Sequence, residues 1–321
     1  MRILFMGTPE FAEVSFEALC ENGFELCGAV TRPDKPKGRH YTLTPPPVKV
    51  AAMARGIPVF QPTTLRDESF AALLEELDPE LIAVVAYGKI LPKNVLDYPK
   101  YGCVNLHGSL LPAYRGAAPM QRAVMNGEKV TGVTTMVMAE GLDTGDMLEV
   151  AELPIGEEDD FETVHDNLAQ LGADLLVSTV TKLEMGILTP IPQPEEGASY
   201  AAKIEKEDCL LDFSRSAEEL HDQIRGLSPI PLAYTTLNGK LLKVVSSKVL
   251  THTKKNLGIP GTVISTDDGV IAVECGASIL GITALRPEGK KTMSAADFIN
   301  GRGVGKDDIL GEPDLAAPEE A

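Results

Sequence analysis

The first half of the chain alternates short apolar runs with segments of helical periodicity, and this alternation limits the possible folds more than any other feature. Four runs are continuous enough to be buried on both faces, as is typical of parallel strands: "RILFMG", "ELCGAVT", "LIAVVAYG" and "YGCVNLHGS". Helices are predicted near 45–55 and 67–77, and a long amphipathic helix over 162–185. This pattern predicts an α/β fold with an open, doubly wound parallel sheet.

Residues 187–206 separate this half from the rest of the chain. The stretch "ILTPIPQPEEGASYAAKIEK" holds three prolines and two adjacent glutamates, a composition typical of a linker. We therefore predict a first domain over 1–186, a linker over 187–206 and a second domain over 207–306.

The second domain is predicted to be a small β-barrel or sandwich. Ser216 and Glu219 have the spacing of a capping box at a helix start. Short strand-like runs follow at close intervals: "AYTTLNG", "LLKVVSSKVL", "GTVIST", "GVIAVECG" and "SILGITALRP". A helix is predicted over 294–302. The last fifteen residues, 307–321, hold six acidic and no basic side chains, which predicts a disordered tail.

Composition argues against several classes of protein. The 321 residues are 44% hydrophobic without a long unbroken apolar run, so we expect a soluble cytoplasmic protein that does not enter a membrane. The five cysteines are odd in number and form no C-x-x-C pair, which argues against a disulfide framework and a zinc site. The net charge of −18 by itself argues against a polyanionic partner.

Three polar residues fall where the carboxyl ends of the predicted strands meet, the edge at which doubly wound sheets bind ligands. Asn105 and His107 share one strand face, because side chains alternate along a strand. Asp143 lies in "EGLDTGD", where glycines on both sides let the backbone bring its carboxylate near another group. An amide and a protonated imidazole can stabilise an oxyanion while the carboxylate orients the imidazole. These residues predict catalysis at a carbonyl without a serine or cysteine nucleophile.

Other interpretations stay open at this point. His107 could be a structural residue at a strand end, and Asp143 before Thr-Gly could simply cap a turn. The other four histidines have no partner at ligand spacing, so no metal is expected. The stretch "GTPEF" lacks G-x-G-x-x-G, so a nicotinamide dinucleotide would be supported by fold analogy alone.

Several motifs together resemble one enzyme family. The stretch "NLHGSLLPAYRGAAP" is similar to the signature of the 10-formyltetrahydrofolate-dependent formyltransferases. Its combination with "FMGTPEF", "TRPDKPKGR", "VVAYGKILP" and "GLDTGD" resembles the methionyl-tRNA formyltransferase branch of that family. The resemblance extends to about Arg302 and includes "YAAKIEKED" and "GKKTMSAADFINGR".

The resemblance implies a fold and a reaction. The implied fold is a Rossmann-like catalytic domain followed by an OB-like β-barrel that binds tRNA. The implied reaction, which uses no metal, transfers a formyl group from 10-formyltetrahydrofolate as co-substrate to the α-amine of methionine on initiator tRNA. The product, N-formylmethionyl-tRNA, serves translation initiation.

The resemblance also implies roles for particular residues. Asn105, His107 and Asp143 match the family's catalytic group, in agreement with the strand-end argument. Asn105 and His107 would stabilise the oxyanion, and Asp143 would tune His107 and assist proton transfer. The family's folate-contacting loop matches Ser109, Leu110, Leu111 and Pro112.

A basic segment near the second strand explains how a chain of acidic composition could bind tRNA. Residues 25–55 hold six basic and two acidic side chains, a local charge of +4. Only charges within about a Debye length, roughly 8 Å, act on a phosphate. In the family this loop enters the acceptor stem, so the expected tRNA contacts are Lys35, Lys37 and Arg39. The next residues, His40 and Tyr41, could stack on unpaired bases where other members carry further lysines.

The second domain is also less acidic than the whole chain. Residues 203–306 hold fourteen basic and twelve acidic side chains, and the pairs Lys254–Lys255 and Lys290–Lys291 could face tRNA. We expect a monomer. Two other functions are considered: a folate-dependent formyltransferase or hydrolase acting on a small molecule, and a non-catalytic RNA-binding protein that keeps the fold. The basic loop and second domain disfavour the first, and the intact polar triad disfavours the second.

Overall fold

The apolar runs of the first half form a seven-stranded sheet. The computed structural model describes residues 1–37, 42–251 and 258–311. The chain divides into two compact units. The first unit comprises Met1–Pro119, Val130–Pro154 and His165–Ala201, so it extends past the predicted domain end at Gly186. The second comprises Met120–Lys129, Ile155–Val164 and the chain from Ala202 onward.

Eleven strands are described in the first unit. They are β1 Arg2–Gly7, β2 Glu25–Val30, β3 Lys35–Lys37, β4 Thr42–Thr44, β5 Val59–Phe60, β6 Leu81–Val85, β7 Cys103–His107, β8 Arg115–Gly116, β9 Val130–Val137, β10 Met147–Pro154 and β11 Tyr200–Ala201. The main sheet has the order β10-β9-β7-β6-β1-β2-β5. The five strands β5, β2, β1, β6 and β7 run parallel to one another. At the side of β7, β9 pairs antiparallel with β7, and β10 pairs antiparallel with β9. The parallel-dominated sheet confirms the predicted fold class.

Helices cover both faces of this sheet. The helices of the first unit are α1 Glu10–Glu21, α2 Pro47–Ala54, α3 Glu68–Leu77, α4 Lys93–Leu96 and α6 Phe161–Glu184, whose first turn belongs to the second unit, as does most of α5 Pro119–Met125. Phe5 of β1 packs edge-on against Phe16 of α1, with ring centroids 5.3 Å apart. Its neighbour Leu4 points the other way and joins a core cluster with Phe70 of α3. Burial on both faces explains why residues 3–6 of β1 are all apolar, and each such side chain contributes about 1.5–3 kcal/mol.

The predicted helices form close to their expected bounds. The segments near 45–55, 67–77 and 162–185 correspond to α2, α3 and α6. Asp67 caps α3 by accepting a hydrogen bond from the backbone of Phe70. Pro9 directly precedes α1.

The second unit contains a curled antiparallel sheet. Its elements are α7 Ala217–Gly226, β12 Ala233–Leu237, β13 Lys240–Thr251, β14 Val263–Ser265, β15 Ile271–Glu274, β16 Ile279–Pro287, β17 Met293–Ser294 and α8 Ala295–Asn300. The strands have the order β12-β13-β16-β15-β14, with β17 added to β16. Register shifts along β13 mark bulges, which bend the long strand and give the sheet its half-barrel form.

The start of α7 is formed as the sequence predicts. Ser216 accepts a hydrogen bond from the backbone of Glu219, whose side chain accepts one from the backbone of Ser216. Leu220 and Ile224 on this helix are fully buried in the core of the second unit. A reciprocal cap of this kind stabilises a helix start by roughly 1 kcal/mol.

The first residues of the predicted acidic tail are ordered. Leu310 is buried, and its backbone nitrogen donates a hydrogen bond to the carbonyl of Gly261. The backbone of Val263 donates a hydrogen bond to the carbonyl of Asp308. Packing of the apolar residues 309–310 therefore fixes this stretch in spite of the two preceding aspartates. Residues 312–321 lie outside the described residues. In the described ranges, no helix is both long and apolar enough to cross a membrane.

Candidate active site

Asn105 and His107 lie together at the carboxyl end of β7. Both side chains are largely buried, with 9% and 6% of their surfaces exposed. Strand alternation places them on one face, with Met136 and Thr134 of β9 beside them. The Asn105 carboxamide forms no hydrogen bond with any of the described residues, so its donors and acceptor stay available to a ligand. This placement confirms the predicted position of both residues; their catalytic role stays a prediction.

The hydrogen bond of His107 defines its neutral tautomer. Nε2 lies 2.9 Å from the backbone oxygen of Tyr114. Because a carbonyl oxygen can only accept, Nε2 carries a hydrogen and donates it. Nδ1 is therefore the nitrogen left to gain a proton, and it lies 3.8 Å from Oδ2 of Asp143. A proton bound there would create a cation beside a carboxylate and a second donor for an oxyanion.

Asp143 is held in a tight loop before β10. Its φ of 51° lies in the left-handed region, which aspartate tolerates better than most residues. The backbone nitrogen of Gly116 donates a 2.8 Å hydrogen bond to Oδ2 of Asp143. The loop also needs Gly145, since a Cβ there would lie 1.7 Å from the backbone oxygen of Val137. The structure thus brings together the predicted carboxylate and imidazole from segments 36 residues apart in sequence.

The predicted folate loop is fixed by its own polar groups. The hydroxyl of fully buried Ser109 donates a 2.7 Å hydrogen bond to the carbonyl of Ala113. Thr134 donates to the carbonyl of Ser109 and accepts from the backbone of Leu111. Leu111 is buried, whereas Leu110 and Pro112 are partly exposed. The Ser109 hydroxyl is therefore occupied inside the loop.

A segment interpreted from sequence as linker contacts this site. Gln193 donates hydrogen bonds to the carbonyls of Asp143 and Gly145, at 2.8 and 2.7 Å. It also accepts two from the guanidinium of Arg115, at 3.0 and 2.6 Å. In addition, β11 pairs in parallel with β8, joining residues 200–201 to the loop that follows β7. These residues are not predicted from the sequence, because a glutamine between two prolines in "IPQPEE" has the composition of a linker.

The predicted tRNA contacts lie in another part of the first unit. Lys35 is exposed on β3, which pairs antiparallel with β4, and we call β3 and β4 the basic ribbon. Lys37 ends β3, whereas Arg39, His40 and Tyr41 lie outside the described residues. In the second unit Lys290 and Lys291 are exposed, and Lys254 and Lys255 are likewise outside the described ranges.

The base of the basic ribbon is held by a polar cluster. Lys49 donates hydrogen bonds of 2.9 Å to both carboxylate oxygens of Asp34 and to Oε1 of Gln61. Gln61 in turn donates to Asp34 and to the carbonyl of Arg32, at 2.9 and 2.8 Å. These donated hydrogen bonds lower the pKa of the Asp34 carboxyl. Lys49 belongs to the +4 segment, but its charge is already paired with Asp34.

Two family matches cover most of the chain. Residues 1–180 match the formyl transferase family, and residues 203–303 match the formyl transferase C-terminal domain. The methionyl-tRNA formyltransferase of Bacillus licheniformis is 46% identical over 314 residues, covering 98% of this chain and 99% of that protein. That of Bacillus subtilis is 47% identical over 311 residues, covering 97% and 98%.

A solved structure shares the fold at lower identity. HypX from Aquifex aeolicus, in complex with tetrahydrofolic acid, has a TM-score of 0.62 and 19% identity, covering 96% of this chain and 48% of that one. This likeness concerns the fold alone. The sequence matches are stronger, because they extend through both units. On these grounds the chain belongs to the formyl transferase family.

Proposed function

We propose that this chain transfers the formyl group of 10-formyltetrahydrofolate to the α-amine of methionine on initiator tRNA. The product would be N-formylmethionyl-tRNA for translation initiation. The observation that carries the proposal is the pair His107–Asp143 beside the unpaired amide of Asn105. Relatives named methionyl-tRNA formyltransferase, matched over nearly the whole chain, support the choice of acceptor.

The proposed mechanism is direct attack of the amine on the formyl carbon. Asn105 and a protonated His107 donate hydrogen bonds to the formyl oxygen as it becomes negative. The carboxylate of Asp143 stabilises the His107 cation from 3.8 Å and takes up the proton that the amine loses. The new amide C–N bond forms as the C–N bond to the folate breaks, and the proton passes to the departing folate nitrogen. No covalent enzyme intermediate is required.

The local chemistry fits a folate co-substrate at this edge of the sheet. The Asn105 carboxamide is nine-tenths buried and has no partner in the described residues, as expected for a group that meets a polar ligand atom. We propose that Ser109, Leu110, Leu111 and Pro112 form one wall of the folate site, chiefly through apolar surface and backbone groups. The occupied hydroxyl of Ser109 fits this division, because it holds the wall in shape.

The basic ribbon is the proposed contact for the tRNA acceptor stem. Lys35 is exposed, and Lys37 and Arg39 follow on the same short segment. A local group of cations attracts a phosphate backbone despite the overall charge of −18, because distant charges are screened. We further propose that the second domain binds tRNA, and that the protein acts as a cytoplasmic monomer.

The proposal is tested by comparing acceptors in one assay. The purified chain is given 10-formyltetrahydrofolate with methionine on initiator tRNA, methionine on elongator tRNA, free methionine or an amino-sugar nucleotide. Fast transfer to the charged initiator alone would support the proposed reaction. Transfer to the amino sugar instead would move the reaction to a small-molecule acceptor, and folate binding without any transfer would favour the non-catalytic alternative.

A further inference from the structure

The segment 191–201 is attached to the candidate active site at both ends. Ile191 exchanges two backbone hydrogen bonds of 2.8 Å with Met147 at the start of β10. At the other end, the backbone of Tyr114 donates to the hydroxyl of Ser199, and the backbone of Arg115 donates to its carbonyl, both at 2.9 Å. Gln193 lies between these attachments with a proline on each side, which restricts its backbone. Its side chain is therefore presented from a fixed position.

The hydrogen bonds of Gln193 use the full capacity of a carboxamide. Its two N–H donors bind the carbonyls of Asp143 and Gly145, and its oxygen accepts two N–H groups of Arg115. The guanidinium can only donate, so the amide oxygen must face Arg115 and the amide nitrogen must face the carbonyls. A glutamate at 193 would keep the hydrogen bonds from Arg115 and lose those to the two carbonyls. A methionine would lose both.

These contacts close a ring around the catalytic carboxylate. Gln193 binds the backbone of Asp143, the side chain of Asp143 accepts a hydrogen bond from Gly116, and Gly116 follows Arg115, which returns to Gln193. Asp143 has a left-handed φ of 51° that must be maintained by its surroundings. The ring thus fixes the carboxylate relative to Nδ1 of His107, 3.8 Å away.

We propose that Gln193 is a positioning residue for the reaction, acting through Asp143. This inference rests on the proposed function, since it assigns the ring a purpose in formyl transfer. Misplacement of a reacting group by about 1 Å can cost a factor of about 100 in rate. Gln193→Glu should therefore lower kcat roughly 10- to 100-fold while KM for both substrates stays within about twofold. Gln193→Met should lower kcat by a similar factor.

The experiment uses the full chain and a double-variant cycle. Wild type, Gln193→Glu, Asp143→Asn and the double variant are compared in formyl transfer to methionine on initiator tRNA. If Gln193 acts through Asp143, the double variant is no slower than Asp143→Asn alone, whereas independent effects multiply. Gln170→Glu, an isosteric change at an exposed position of α6, is the control and should keep wild-type kcat.

Several results would overturn the inference. Wild-type kcat in Gln193→Glu, or multiplicative losses in the double variant, would show that Gln193 does not act through Asp143. Melting curves separate loss of fold from loss of positioning; should Gln193→Glu unfold, Gln193→Met carries the same cycle with Asp143→Asn. A wild-type protein that transfers no formyl group would instead refute the proposed function, which this design distinguishes from failure of the inference.

Discussion

Two loops of the first unit are each held by the carboxamide of one glutamine, yet their carboxylates lie in different surroundings. Gln193 binds the backbone of the Asp143 loop, and Gln61 binds the segment that leads into the basic ribbon. The side chain of Asp143 is 15% exposed and faces an imidazole, whereas that of Asp34 is 28% exposed and already paired with Lys49. The first arrangement leaves a carboxylate free to act. In the second, the carboxylate is already paired, and the exposed Lys35 lies just beyond it in sequence.

The difference indicates which of the two loops needs precise atomic positions. Bond formation at a carbonyl depends on the positions of donors to within a fraction of an ångström. Attraction of a phosphate backbone depends on charge and tolerates looser geometry. Variants in the first loop should therefore change kcat, and variants in the second should change tRNA affinity.

The largest effect is expected for His107→Ala. Loss of one oxyanion donor costs roughly 10²–10³ in rate, and this variant also removes the partner of Asp143. The dissociation constant for initiator tRNA should stay close to the wild-type value, because His107 is buried and contacts Tyr114 rather than a surface. Single-turnover kinetics and a filter-binding titration measure the two quantities. A large loss of tRNA binding would contradict the proposal that His107 serves the reaction and not the binding of tRNA.

Asn105→Ala should follow, with a fall in kcat of about 100-fold. Since the carboxamide forms no hydrogen bond with the described residues, its removal leaves no protein group unpaired and should change the melting temperature little. Kinetics and calorimetry on the same preparation check both points. Unchanged kcat in a stably folded variant would remove Asn105 from the catalytic group.

Lys35→Ala, in the basic ribbon, should affect tRNA binding. We expect a several-fold loss of affinity for initiator tRNA and a reduction of about one in the salt slope of binding, with kcat at saturating tRNA unchanged. Lys100→Ala, at an exposed lysine of the first unit outside the basic ribbon, provides a matched removal of one charge. Equal losses in both variants would mean that the ribbon holds no special position on the tRNA.

The smallest effect is expected for Asp34→Asn, and it depends on pH. Lys49 and Gln61 lower the pKa of the Asp34 carboxyl by hydrogen bonding to its charged form. A lowered pKa stabilises the fold above the ordinary value of about 3.9, and that stabilisation disappears as the pH falls through the folded-state pKa. Asp34→Asn should therefore melt slightly below the wild type near neutral pH.

The measurement is a pair of melting series from pH 7 to pH 3. The difference between the two proteins should be constant at the upper end and shrink only at the lower end of this range. A difference that persists undiminished at pH 3 would show that the cluster stabilises the ribbon by means other than the charge of Asp34.

Local patterns in the sequence predict much of the fold and part of the site. Continuous apolar runs identify buried parallel strands, and alternation along β7 places Asn105 and His107 on one face. Sequence alone does not reveal that β9 pairs antiparallel with both β7 and β10, because direction is set by packing between distant segments. Gln193 was missed for a similar reason: its partners lie 48 to 78 residues away, and its flanking prolines resemble those of a linker.

The pairing of β8 with β11 also sets a limit on how this protein can be divided or recombined. The family match to the first region ends at residue 180, yet the strand that joins Tyr200 and Ala201 to the site loop lies beyond that point. A shortened chain ending at 180 would keep Asn105, His107 and Asp143 while losing Gln193 and Ser199. Exchange of the C-terminal region between relatives would therefore keep Gln193 and the β8–β11 pairing in one chain only when the crossover falls after Ala201.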